Sequence, residues 1–130
     1  MKIENKNLEA LLKVAESMNW SYRIYKDDYP DRSRCYVEME TSSPLGEDFL
    51  MVIDFKEADP IHSFLDDLDD YYTAFEPEEH AAFFIDNRGK YGIPGSIRAL
   101  LDDADYIDGM IEELYIALHD AAASLGKEET

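Results

Sequence analysis

Basic residues are scarce in this chain: twelve Lys and Arg stand against thirty Asp and Glu, a net charge of −18 at neutral pH. Binding DNA or RNA requires Lys and Arg that displace counterions from phosphates. Direct nucleic-acid binding is therefore excluded, and an anionic membrane surface would repel the protein for the same reason. Cysteine is nearly absent. Cys35 alone cannot close an internal disulfide, which fits a reducing cytoplasm. No apolar run approaches the ~18 residues of a membrane span. The start, MKIENKNLEA, holds no apolar segment of the signal-peptide kind. The expected location is thus cytoplasmic, where the Asn19-Trp20-Ser21 sequon carries no meaning.

What remains is a folded domain. A chain of 130 residues, 45% hydrophobic with nine Tyr and six Phe, is long enough and apolar enough for a core. A single domain over 1–130 is expected. The charge is uneven along it. Residues 1–53 carry ten acids and seven bases, while residues 54–120 carry eighteen acids and four bases. The stretch FLDDLDDYYTAFEPEEH, 64–80, holds Asp66, Asp67, Asp69, Asp70, Glu76, Glu78 and Glu79 with no Lys or Arg.

Hydrophobic periodicity sets the element order. Leu8, Leu11, Leu12, Ala15 and Met18 form one stripe of a helix over 7–18. Alternation then predicts three strands: Trp20–Lys26 with Trp20, Tyr22 and Ile24 inward, Arg34–Thr41 with Cys35, Val37 and Met39 inward, and a nearly all-apolar Phe49–Phe55. DDYPD and SSPLGED read as turn and loop. Asp59 and Pro60 open a helix whose stripe is Ile61, Phe64, Leu65, Leu68, Tyr72 and Phe75. Pro77 opens another, with Ala81, Phe84 and Ile85 inward. NRGKYGIPG, 87–95, is a loop, and Ser96 caps a final stripe through Ile97, Leu100, Leu101, Ala104, Ile107, Ile111, Leu114, Leu118 and Leu125. Gly109 and the region of Asp105 allow a bend in it, since Gly costs about 1 kcal/mol relative to Ala. The expected class is α+β: an N-terminal helix, a three-stranded antiparallel sheet, then three or four helices on one face.

Catalytic and metal signatures fail one by one. DDADYIDGMIEE, 102–113, imitates a calcium loop, but Ile107 falls at position five, Asp108 displaces the glycine and position twelve is Leu114. His62, His80 and His119 are scattered without a zinc arrangement and read as surface histidines. No nucleophile motif is present, and any pair of carboxylates is cheap to find in so acidic a chain. GKYGIPGS, 89–96, places three Gly before a helix N-terminus with Arg88, Lys90 and Arg98 nearby, a weak phosphate-cradle pattern without the P-loop order. No catalytic residue, metal site or cofactor is expected.

The order SSPLGEDFLMVIDF, then FEPEEH, then GIPGSIRALLDDA and an acidic, leucine-bearing final helix resembles a group of small acidic proteins. They occur on phages and conjugative elements of Firmicutes-type bacteria, and the resemblance spans most of the chain after residue 36. It implies a mobile-element setting, in which acidic inhibitors of host defence such as antirestriction DNA mimics are found. The group has no assigned activity, so the resemblance transfers no functional residue.

The expectation is an acidic interaction protein without enzymatic activity. Its partner is a basic protein surface, in the sharpest form the nucleic-acid site of a defence or nucleic-acid-processing protein. The contacts are Asp66, Asp67, Asp69, Asp70, Glu78, Glu79, Asp102, Asp103 and Asp105. Competing readings are a small-ligand, phosphate-binding or enzymatic site at the 88–98 loop, and a homo-oligomeric structural protein associating through Tyr71, Tyr72, Tyr91 and Tyr115. The bland reading of the same charge is solubility.

Overall fold

The computed structural model of the chain describes residues 1–30, 32–44, 46, 48–81 and 97–128, the side chains of 97–100 and 125–128 excepted. Helix α1 (Lys6–Glu16) starts where Asn5 Oδ1 accepts the Leu8 N–H at 3.1 Å. A side chain thus satisfies one of the amides that a helix start leaves open. Leu8, Leu11, Leu12 and Ala15 form its buried stripe. The turn after the helix contains a left-handed residue, Asn19 (φ 68°), a conformation Asn tolerates better than most. The Trp20 N–H returns to the Ala15 carbonyl at 3.0 Å, and Thr41 Oγ1 donates to the Asn19 carbonyl at 2.9 Å. This turn delivers Trp20 to the core.

Three strands follow as an antiparallel meander, β1 (Ser21–Tyr29), β2 (Arg32–Ser42) and β3 (Asp48–Phe55), in the order β1-β2-β3. The register pairs Ile24 with Val37 and Val37 with Ile53. With a side-chain period of two, that row and the Met39–Met51 pair face the core. Arg23, Glu38, Tyr36, Leu50, Val52 and Asp54 fall on the opposite face. Cys35 is inward, as its alternation predicted, and burial raises its thiol pKa. β3 is the strand whose sequence hides its pattern: it is apolar on both faces, yet Phe49, Met51, Ile53 and Phe55 are buried while Leu50 and Val52 are exposed.

The first residues add a feature absent from the sequence reading. Ile3 N–H bonds to the Ile24 carbonyl and Lys26 N–H to the Met1 carbonyl, each at 2.9 Å. A short segment therefore covers the outer edge of β1.

Helix α2 (Pro60–Ala74) packs on β3 and α1 on β1; α3 (Ile97–Glu128) packs on both α1 and α2. Residues 77–81 are helical, while Phe84, Ile85, most of the 88–98 loop and Ser96 lie outside the described residues. The architecture is α+β, as its periodicities indicate. Helix α3 passes Gly109 without a break. The reason is one of magnitude: Ile107, Ile111, Leu114 and Leu118 are all fully buried. Each contributes about 1.5–3 kcal/mol, against about 1 kcal/mol for Gly over Ala.

A Cβ added at Gly109 meets no atom within 4 Å. Gly109→Ala is therefore expected to stabilise the fold by about 0.4–1 kcal/mol. That corresponds to a rise in Tm of about 2–6 °C in thermal denaturation. An unchanged or lower Tm would show that the helix uses the glycine for something other than continuity.

Candidate functional site

Charge is sorted by layer. The Lys and Arg ion pairs are all on the sheet side: Arg23–Glu38 at 3.9 Å, Lys26–Glu57 at 2.7 Å and Arg34–Asp54 at 2.8 Å, among the described residues. Hydrogen bonding between Lys26 and Glu57 raises the lysine pKa and lowers that of the carboxylate. Among the described residues, no such base reaches Asp66, Asp69, Asp70, Glu78, Glu79, Asp102 or Asp105. The one cationic candidate on α2 is His62, with Nδ1 3.1 Å from Asp59 and Nε2 3.9 Å from Asp66. Asp59 sits at the expected N-cap position, but its carboxylate faces His62 and makes no cap hydrogen bond.

The acids of α2 divide by the direction in which they leave the helix. Asp66, Asp67 and Asp70 point toward β3. With Asp54, Phe55, Lys56 and Ser63 they line a groove of about 230 Å³. Asp66 and Asp70 are exposed, whereas Asp67 is half-buried, and its Oδ2 accepts the Asp54 N–H at 2.8 Å. One turn earlier, Ser63 Oγ accepts the Lys56 N–H at 2.7 Å and donates to the Asp59 carbonyl at 2.6 Å. Ser63 and Asp67 thus close the end of the β3 edge. Asp69 leaves on the other side, beside the Tyr115 hydroxyl of α3.

Two tyrosines join α2 to α3. Tyr72 and Tyr115 stack at 5.2 Å with their rings 14° apart. Burial raises the Tyr115 pKa above its ordinary 10.0, and the charge and hydrogen bond of Asp69 raise it further. Tyr72 is raised by burial first, then by Glu112 and Asp108. Tyr71 stacks on Phe75 at 6.5 Å and is half-buried. These three side chains therefore serve intramolecular packing, and Tyr91 lies outside the described residues.

The remaining expected contacts scatter. Glu78 and Glu79 are exposed on the 77–81 turn, and Asp102 and Asp105 are exposed on α3. Asp103 is 5% exposed and buried in the protein, so it does not present its carboxylate at the surface. Only His62 is an exposed histidine. His80 is packed against Phe49 and Phe75, each at 5.5 Å, and His119 against Tyr115 at 4.3 Å. The 102–113 segment is helix throughout, which removes any calcium-loop geometry. No group of three metal-ligating side chains occurs among the described residues.

A larger cavity lies elsewhere. About 540 Å³ is bounded by the turn after α1, the β2–β3 connection and α3. Trp20, Met18, Tyr106 and Met110 line it, with Glu113 as the sole carboxylate among the described residues. Such a volume suits a small ligand, but the walls bring together no acid–base pair. The 88–98 loop offered as a ligand site lies outside the described residues except for its last two, and the Arg98 side chain is not described.

No family model, curated protein or solved structure matches the chain.

Because Tyr115 holds its proton more tightly in the folded state, its contribution to stability is fully present below pH 10 and is lost as pH rises through its folded pKa. In a spectrophotometric titration near 295 nm, Asp69→Asn should move the Tyr115 component, identified by subtraction of a Tyr115→Phe curve, downward toward the ordinary phenol range. An unaltered titration curve would show that burial alone controls Tyr115.

Proposed function

We propose that this protein is a non-enzymatic acidic interaction protein that docks on a basic protein surface. The observation that carries the reading is the sorting of charge. The bases that form ion pairs, Arg23, Lys26 and Arg34, lie on the sheet side, while among the described residues Asp66, Asp69, Asp70, Glu78, Glu79, Asp102 and Asp105 have no Lys or Arg within ion-pair distance. Self-repulsion destabilises such a surface. A docked basic partner removes that penalty, and complementarity speeds its encounter.

In its finer form the acidic surface imitates nucleic acid. Carboxylates at i and i+4, such as Asp66 and Asp70, stand roughly 5–6 Å apart, within the range of spacings along a phosphate backbone. Helix α3, with 32 residues, extends the scaffold for about 48 Å at the ordinary helical rise. The setting is a bacterial cytoplasm and a phage or conjugative element, from the resemblance carried by SSPLGEDFLMVIDF, FEPEEH and GIPGSIRALLDDA. The target is then a basic nucleic-acid-binding protein.

The geometry decides which acids test this. Asp67 holds a backbone amide and Asp69 a tyrosine, so replacing them confounds binding with folding. The informative variant replaces Asp66, Asp70, Glu78 and Glu79 by Lys. Immobilised wild-type protein in a bacterial lysate should retain a basic nucleic-acid-binding protein at about 0.1 M salt. It should release that protein near 1 M, where the screening length falls from about 10 to about 3 Å. Duplex DNA should compete it off, and the folded quadruple variant should retain none of it. Equal retention by that variant would refute the assignment of these acids.

A further inference from the structure

The two outer edges of the sheet are treated differently. On β1, the backbone groups of Ile24 and Lys26 that point away from β2 are taken by Ile3 and Met1. On β3, the Asp54 N–H points away from β2, to the Asp67 carboxylate, and the Lys56 N–H goes to Ser63 Oγ. Ladder geometry alternates with a period of two. The register from Ile24 through Val37 to Ile53 independently gives the same phase. The N–H and C=O groups of Asp48, Leu50 and Val52 therefore point to the open edge as well. Among the described residues nothing bonds to them there. The side chains at this open stretch are apolar and solvent-exposed, Leu50 at 47% and Val52 at 37%.

An unprotected edge with exposed apolar side chains is a template for another strand. Its surroundings define which one. Asp48 and Asp54 bound the stretch, and Asp66, Asp67 and Asp70 overlook its far end across the α2 groove. A second copy is a poor occupant. Antiparallel self-pairing about Met51 would set Asp48 of each copy opposite Asp54 of the other, and like charges directly opposed destabilise a sheet.

We infer that the open edge of β3 takes up an extended basic segment of a partner protein as an added strand. Its backbone pairs with residues 48–52. Apolar residues of the segment lie beside Leu50 and Val52, and the alternate Lys or Arg residues turn toward Asp66 and Asp70. This deepens the acidic-docking reading by naming the form of the partner. It also gives the groove between α2 and β3 a use that charge alone does not.

The probe is a fluorescein-labelled peptide of about eight residues alternating Lys and Val, followed by fluorescence anisotropy at low salt. A second peptide of the same sequence carries N-methyl groups on every other amide and cannot complete a ladder. Val52→Pro removes an edge donor without touching a β2–β3 bond, the position at which a strand tolerates proline. Circular dichroism and thermal denaturation establish that this variant is folded. N-methylation and Val52→Pro should each weaken binding about tenfold or more. Asp66→Asn with Asp70→Asn should weaken it several-fold and flatten its salt dependence.

Equal affinity for the N-methylated peptide would overturn strand addition and leave general acidic docking intact. A peptide that fails to bind at all would overturn it too, while the lysate-retention experiment decides the broader reading separately. Concentration-dependent dimerisation abolished by Val52→Pro would overturn it in favour of a second copy.

Discussion

Where α2 meets β3, Phe64, Leu65 and Leu68 enter the core while Asp67 turns its carboxylate to the Asp54 amide at 2.8 Å. The apolar contacts set how far the helix is rotated about its axis, and the polar contact sets how far it is slid along the strand. With both fixed, the direction of every other α2 side chain follows from the 100° step of the helix. Asp66 and Asp70 overlook the strand edge, Asp69 reaches Tyr115, and Tyr72 meets its stacking partner on α3. The acidic surface is thus a consequence of one helix–strand docking. Asp67, which looks like any member of the acidic run, is the residue that holds it in register.

The same contact explains why the charge divides between the two halves of the molecule. Among the described residues no helix lies over the outer face of the sheet, which carries both signs in cross-strand pairs, Arg23 with Glu38 and Arg34 with Asp54. Arg34 also lies over the Tyr36 ring at 4.7 Å, and Tyr25 stacks on Tyr36 at 5.3 Å. That face is therefore partly neutralised. In the helical layer, no Lys or Arg among the described residues pairs with the exposed aspartates. Repulsion there is borne by a scaffold whose cohesion is apolar, from Leu8 and Leu12 of α1 to Ile107, Ile111, Leu114 and Leu118 of α3. Surface charge and core cohesion are separable in this design, so acids can be exchanged on Asp66 or Asp70 without reaching the core.

Periodicity made most of the fold legible. Trp20, Ile24, Cys35, Val37 and Met39 alternate with polar neighbours, and a period of two has only one buried solution. The helical stripes through Leu8–Ala15 and Ile107–Leu118 were equally plain. The features that escaped are those in which neighbouring residues of one type have different fates. Leu50 and Met51 are both apolar, and only the pairing register shows that the first is outside. Asp66 and Asp67 are both acidic, and only the rotation of α2 shows that the second binds a backbone amide. Asp103 belongs to a run of acids yet is buried, because its position on α3 faces inward. Met1–Ile3 has no pattern at all, since two backbone hydrogen bonds leave no trace in side-chain chemistry. A faint signal existed for the β3 edge: Ser63 and Asp67 stand four residues apart beside an apolar stripe, immediately after an edge strand.

Acids at a strand edge have two physical consequences that point the same way. Between copies of the chain they repel, which disfavours self-pairing of the edge with exposed Leu50 and Val52. Toward a basic strand they attract, with roughly 1 kcal/mol per contact at about 4 Å in water and less as salt rises. Backbone pairing alone does not discriminate between sequences, and surface charge alone does not fix a geometry. Set side by side on β3 and α2, each supplies what the other lacks. In the proposed docking, the edge orients the incoming segment and the aspartates select its composition. Individually weak charge contacts that fade with salt favour a complex of that kind that forms quickly and exchanges.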